Sequence, residues 1–181
     1  MKKILSLLSA AVILLQFTSC KKTAGNVFTG IDLTIPDVQV TLPIIVSVST
    51  TEISLGTYSI HYNLDTAIQY YTGSTFNISS VTSVKVKQAI LTMQNTDPLN
   101  NLSNFESMRI ALQSNVNTTP TDILLFTFPD VYASSYTSSA GTTELLPYVK
   151  GSDLMFTVYG KMRRVTSKSL TIILSITFHV S

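Results

Sequence analysis

The stretch 170–180, LTIILSITFHV, decides how this sequence is read. Leu170, Ile172, Leu174, Ile176, Phe178 and Val180 share one parity, while Thr171, Ser175, Thr177 and His179 share the other, interrupted only by Ile173. Successive side chains of a strand point to opposite faces, so this alternation describes a β-strand with one buried face and one mostly wet face. The run 154–162 repeats the pattern with Leu154, Phe156, Val158, Gly160 and Met162. Val165 to Lys168 are turn material between the two runs, and an antiparallel hairpin is the simplest arrangement. With Met162 opposite Leu170, that hairpin sets Phe156 against Ile176, Tyr159 against Ile173 and Asp153 against His179. The last pair gives the histidine a structural carboxylate partner.

Upstream, Val38, Val40, Leu42, Ile44, Val46 and Val48 hold one parity across a long run that contains Pro43 and follows Pro36. Proline cannot donate to a ladder, so this run belongs at a sheet edge or at a bend between two sheets. Tyr58, Ile60 and Tyr62 alternate with Thr57, Ser59 and His61. Asn63 or Asp65 then caps a short helix in which Leu64, Ile68 and Tyr71 share a face and which Gly73 stops. A second half-turn is expected at 77–81. Val84 and Val86 lie on one parity and Ala89, Leu91 and Met93 on the other, which places a bulge near Lys87 and Gln88. The turn formers NTDPLNN at 95–101 precede a strand with Met108, Ile110 and Leu112 inward, suggesting another hairpin. A break at 117–120, a strand at 123–128, a Ser- and Tyr-rich loop at 129–141 and a helical turn at 145–150 complete the order. Seven or eight strands with no long helical period predict an all-β fold. It is an antiparallel two-sheet β-sandwich, Ig-like or jelly-roll-like, with one or two short helical turns, spanning residues 31–181.

Composition agrees with one well-buried domain: 181 residues, 45% hydrophobic and 12% charged are too apolar for a disordered chain. The 12 Lys and Arg residues face 10 Asp and Glu. Lys2 and Lys3 lie in a segment expected to be removed, and without them the balance is neutral, so no nucleic-acid footprint is present.

The N terminus reads as an export signal. Lys2 and Lys3 precede an apolar run at 4–15 and then Gln16-Phe17-Thr18-Ser19-Cys20; about a dozen apolar residues are too few to span a bilayer. Cys20 is the only cysteine, so an intrachain disulfide is excluded. These residues resemble the start of a bacterial lipoprotein, and Ser19-Cys20-Lys21-Lys22 is similar to lipoproteins of the Bacteroidota. The resemblance implies a signal peptide at 1–19, cut before Cys20, with palmitate-type acyl chains on the Cys20 sulfur and on the new amino terminus. Two or three such chains, at about 0.8 kcal/mol per buried methylene, hold a protein on a membrane. Residues 20–30 then form the lipidated cysteine and its tether. Surface-exposed members of this group carry acidic residues after the cysteine, whereas this chain has Lys21-Lys22-Thr23, which favours the periplasmic side of the outer membrane over the cell surface. The order of segments in 31–181, including Asn104-Phe105-Glu106-Ser107, is similar to uncharacterised Bacteroidota envelope lipoproteins, a likeness that implies no activity.

Residues that carry chemistry are few. His61 and His179 sit at polar parities of different strands, outside any metal-ligand spacing. No Gly-x-Ser-x-Gly and no glycine-rich phosphate loop occurs, and the resemblance assigns Cys20 to lipid. No catalytic residue, metal site or cofactor is therefore expected. The 95–101 loop offers oxygen ligands but only one carboxylate, which suits turn chemistry better than a cation site. Asn77, Asn101 and Asn117 open formal N-glycosylation triplets that read as ordinary polar loops. Asp65-Thr66-Ala67 resembles the O-glycosylation motif of exported Bacteroidota proteins, with Thr66 as acceptor. Lys161, Arg163, Arg164 and Lys168 surround the turn after 162, where charged residues block edge-to-edge pairing or meet phosphate groups. The expectation is a non-enzymatic cell-envelope lipoprotein whose sandwich is a binding or structural module for an envelope protein or a glycan. The alternative is a carbohydrate- or lipid-binding accessory lipoprotein that uses the loop tyrosines Tyr132, Tyr136 and Tyr148.

Overall fold

The computed structural model describes residues 27–48 and 51–181. The segment expected to be a signal peptide at 1–19, Cys20 and most of the expected tether lie outside the described residues. The strands are β1 (Ile31–Thr34), β2 (Val38–Leu42), β3 (Ile53–His61), β4 (Val84–Gln94), β5 (Phe105–Ser114), β6 (Thr121–Thr127), β7 (Ser135–Ser138), β8 (Asp153–Met162) and β9 (Leu170–Val180). Two short helices, α1 (Leu64–Tyr71) and α2 (Leu146–Val149), join 3-10 turns at Ile78–Ser80 and Leu102–Asn104. All pairings are antiparallel. One sheet runs β1-β9-β4-β7, with β2 continuing beside β9, and the other runs β3-β8-β5-β6.

This order resolves the choice between sandwich types. β2 pairs with β9, β3 with β8, β4 with β7 and β5 with β6, so the partners are nested like the two arms of one long hairpin. Rolling that hairpin adds the β4–β9 and β5–β8 pairs and closes a jelly roll. β1 is an extra strand: Ile31 opposes Val180 on β9. The short β7 falls within 129–141, the stretch expected to be all loop.

The expected hairpin of 154–162 with 170–180 does not form, because β8 and β9 belong to different sheets. Their even-numbered residues meet face to face across the core: Leu154, Phe156, Val158, Leu170, Ile172, Leu174, Ile176 and Phe178 are all 2% exposed or less. Parity dictates which face is buried, whichever neighbour the strand edge finds, and a sandwich satisfies the same pattern as a hairpin. The connection between them bonds elsewhere. Arg163 and Arg164 donate their backbone N–H groups to the Asn104 carbonyl at 2.7 and 3.0 Å, and Thr166 donates to Ile45 at 2.9 Å. Asp153 accordingly lies opposite His61, and His179 opposite Asp32 and Lys85. The hairpin expected around 95–101 fails in the same way, since β4 and β5 are in different sheets.

Pro43 marks a second departure. Val38, Val40 and Leu42 are buried, yet Ile44, Val46 and Val48 are exposed and Ile45 is buried. The ladder to β9 ends at Leu42, where the proline that follows has no N–H to continue it, and the parity reverses as the chain leaves for the other sheet. The bulge read near Lys87 and Gln88 is present, between Val86 and Gln88 opposite β9. Gly160 sits at an inward position of β8 because Leu55 lies over it: a Cβ there would come within 2.6 Å of Leu55 Cδ1.

Candidate functional site

The two ends of the sandwich differ in chemistry. At the end where β4 runs into β5 and β8 into β9, the polar residues of 95–104 are bonded to one another and to the 163–168 connection. Asn100, Asn101 and Asn104 are 1%, 1% and 2% exposed. Asn104 donates from Nδ2 to the carbonyls of Leu99 and Val165 at 2.9 and 2.8 Å and accepts from Asn101 N–H at 3.0 Å. Asn100 donates to both oxygens of Asp97 and to Ser167 Oγ, and accepts from Ser167 N–H at 2.8 Å. Lys168 lies 2.6 Å from Asp97. Lys168 first, then the Asn100 amide, hold the Asp97 carboxyl at about 2, against a smaller upward push from burial. The loop is turn chemistry of a dense kind, and its oxygens are committed within the protein.

The basic cluster is committed too. Lys161 reaches Glu106 at 2.8 Å, and Arg164 pairs with Asp130. Arg163 donates to the carbonyls of Ser103, Phe105 and Phe128 at 2.9 to 3.0 Å, so its guanidinium ties three loop ends together instead of facing a phosphate. The three Asn-x-Ser/Thr asparagines act as local caps: Asn77 accepts from Ser79 N–H, Asn101 from Ser103 N–H and Asn117 from Thr119 N–H.

At the opposite end, both histidines hold carboxylates across neighbouring strands. His61 Nδ1 is 2.9 Å from Asp153 Oδ1, and His179 Nδ1 is 2.9 Å from Asp32 Oδ1. The structural reading of His179 survives with a different aspartate from the one expected. Lys87, which also pairs with Asp32, and then His179 lower the Asp32 carboxyl below its ordinary range.

Beside His61 lies a groove of about 610 Å³ between α1 and the bend from β1 to β2. Its wall follows from how α1 starts and stops. Asn63 accepts from Thr66 N–H at 3.0 Å and caps the helix, while Asp65 accepts from Gln69 and from Ile78 N–H. Thr72 Oγ1 donates to the Ile68 carbonyl at 2.7 Å, and Gly73 follows with φ +60°, ending the helix after eight residues. So short a helix buries only Leu64 and Ile68. Tyr71, expected on that inner face, is 66% exposed, and Tyr70 is 81% exposed. The two rings meet at 5.4 Å with planes 88° apart, which makes a corner rather than a flat slab. Tyr62 is half-buried below them; burial first, then the nearby Tyr71 phenol, raise its pKa. Thr66, the residue read as a glycosylation acceptor, lines the groove and is exposed.

The tyrosines singled out in the sequence are not gathered into a site. Tyr132 bonds Thr96 at 2.8 Å, Tyr136 packs edge-on against Phe126 and Phe128, and Tyr148 lies against the core. The adjacent pair Tyr70-Tyr71 was the signal to follow. Residues one apart on a helix lie about 100° apart, so a single narrow buried stripe cannot cover both.

No family model and no curated protein sequence matches this chain. Among solved structures, it is similar to the family 32 carbohydrate-binding module of C. perfringens NanJ in complex with galactose, at 10% identity and TM-score 0.35, over 81% of this chain and 99% of that one. It is likewise similar to infectious bursal disease virus, at 10% identity and TM-score 0.35, over 83% of this chain and 32% of that one. Tomato aspermy virus aligns at 9% identity and TM-score 0.30, over 96% and 93%. At these scores none of them assigns a role to any residue here.

Proposed function

We propose that this chain is a non-enzymatic lipoprotein of the cell envelope, anchored through Cys20 on the periplasmic side of the outer membrane, whose jelly roll is a binding module. The observation that carries the binding role is the groove walled by Tyr70 and Tyr71, two adjacent aromatic side chains that are 81% and 66% exposed. A contiguous exposed aromatic patch beside a groove is the kind of surface that marks an interaction site, whereas scattered exposed apolar residues are ordinary. A non-enzymatic role fits the histidines, whose bonds go to Asp153 and Asp32 across the strands, a structural use of both partners.

The anchor rests on the resemblance of residues 1–22 to the start of a bacterial lipoprotein. β1 begins at Ile31, beside Val180, at the end of the sandwich that also carries His61 and α1. Ten residues of tether, fully extended, reach at most about 35 Å, so the groove works close to the leaflet. Cys20→Ser is expected to leave an uncut precursor that takes up no labelled palmitate; equal labelling of the variant overturns the anchor. For the binding role, residues 21–181, which contain every strand of both sheets, are coupled to a resin and exposed to envelope extract. Retention of a component by the native sequence and not by Tyr70→Ala/Tyr71→Ala supports the groove, and identical retention by both removes it.

A further inference from the structure

We propose that the Tyr70–Tyr71 groove takes a neutral pyranose of an oligosaccharide. The inference rests on reading the groove as a binding site and names its ligand class. Three features of the lining select this chemistry. First, among the described residues no Lys, Arg, Asp or Glu lines the groove, and its one imidazole, His61, is bonded to Asp153. An acidic sugar, a phosphate or a charged peptide meets no counter-charge here, whereas a neutral ligand leaves no charge stranded. Second, Tyr70 and Tyr71 touch edge to face, with centroids 5.4 Å apart and planes 88° apart, so together they form a corner that leaves aromatic surface open to solvent. A pyranose has a face of C–H groups that packs on an aromatic ring and a rim of hydroxyls that must be bonded, so it needs an aromatic wall and a polar border together.

Third, that border exists. His61 engages Asp153 through Nδ1, and among the described residues no partner meets its other ring nitrogen. Asn63 uses its side-chain oxygen to cap α1, and among the described residues no partner meets its amide N–H groups. Tyr62 also lines the groove, and its phenol, protonated near neutral pH as any tyrosine is, can donate. An acyl chain fits less well, because its full length must be shielded by apolar atoms and here hydroxyl- and amide-bearing side chains interrupt them.

The test is a titration of isotope-labelled residues 21–181, followed by NMR, with maltoheptaose, cellopentaose, xylohexaose, mannohexaose and β-1,4-galactohexaose, and with hexagalacturonate as the acidic counterpart. The expected result is saturable binding of at least one neutral oligosaccharide, with the largest shifts at Tyr70, Tyr71 and His61. Tyr70→Ala and Tyr71→Ala each weaken it by about tenfold or more, the factor that corresponds to the loss of one aromatic contact of about 1.4 kcal/mol. Unchanged far-ultraviolet spectra and melting temperatures of the variants separate lost binding from lost folding. The inference is overturned by no binding across the neutral panel, by preference for hexagalacturonate, or by binding that ignores both substitutions. If the tyrosines are needed to retain a component of envelope extract while every neutral oligosaccharide fails, the binding role stands and the sugar assignment falls.

Discussion

The two ends of this jelly roll use their polar and aromatic residues in opposite ways. Around 95–104 and 163–168, side chains of the kinds that bind ions and phosphates are bonded within the protein: the Asn104 amide bonds backbone groups of Leu99, Val165 and Asn101, and the Arg163 guanidinium bonds three carbonyls. Around α1, Tyr70 and Tyr71 stand in solvent beside the second ring nitrogen of His61 and the Asn63 amide nitrogen, which meet no partner among the described residues. Residue type alone therefore does not show which polar groups the fold has already used. A polar side chain is available to a ligand only when the fold has not already used it, and here the β4–β5 and β8–β9 connections, which both cross between sheets, are fastened by side chains together with a few backbone bonds outside any strand ladder.

The largest effect that tests this contrast is expected at Asn104. Asn104→Ala removes three hydrogen bonds from a residue 2% exposed and leaves two carbonyls and one N–H short of a partner. The expected loss is about 3 kcal/mol, read as a lower urea midpoint with an unchanged slope. A loss below about 1 kcal/mol would show that this end is not fastened by its asparagines.

Why the two ends were not distinguished in the sequence can be said in physical terms. Parity was readable: Leu170 to Val180, Leu154 to Met162 and Met108 to Leu112 bury the side chains their alternation assigns to the core. Partners were not, because alternation records which face meets apolar atoms and carries nothing about which strand edge lies alongside. Asp153 and His179 illustrate the point, each holding an ion-pairing partner across a strand, but not each other. The reversal of parity after Pro43 was also hidden, since Ile44, Val46 and Val48 look as apolar as the buried valines before them. At the groove, helix and stop signals at Asn63 and Gly73 were legible. The shortness of the buried stripe, which leaves Tyr71 outside, depends on how little of α1 the sheets touch.

A smaller effect is expected in acid, and again it separates the ends. Lys168 and Asn100 hold the Asp97 carboxyl at about 2, below its ordinary value near 3.8. A folded-state pKa below the unfolded one makes a stabilising contribution that is complete above about pH 4 and is lost as pH falls toward about 2, where the folded carboxyl takes up its proton. The urea midpoint should therefore decline across that window, less steeply in Asp97→Asn, which removes the titrating group. An equal slope in wild type and variant would mean that Asp97 is no better bonded in the folded chain than in the unfolded one.

The smallest effect is expected at the groove, and its smallness is the prediction. Tyr70 is 81% and Tyr71 66% exposed, and their clearest aromatic contact is with each other, so truncating either one opens no cavity in the core that Leu64 and Ile68 enter. Tyr70→Ala and Tyr71→Ala should each change stability by no more than about 0.5 kcal/mol in either direction, the range for surface substitutions away from caps and cores. Tyrosine has lower helix propensity than alanine, which tilts the expectation toward a slight gain. Because the two rings touch, the double substitution need not equal the sum of the singles, and any difference measures their edge-on contact, worth about 0.5 to 1.5 kcal/mol when such pairs are well ordered. A loss of 2 kcal/mol or more from either single substitution would break the contrast between the ends, for it would show that the tyrosines belong to the scaffold and that a ligand is not needed to account for them.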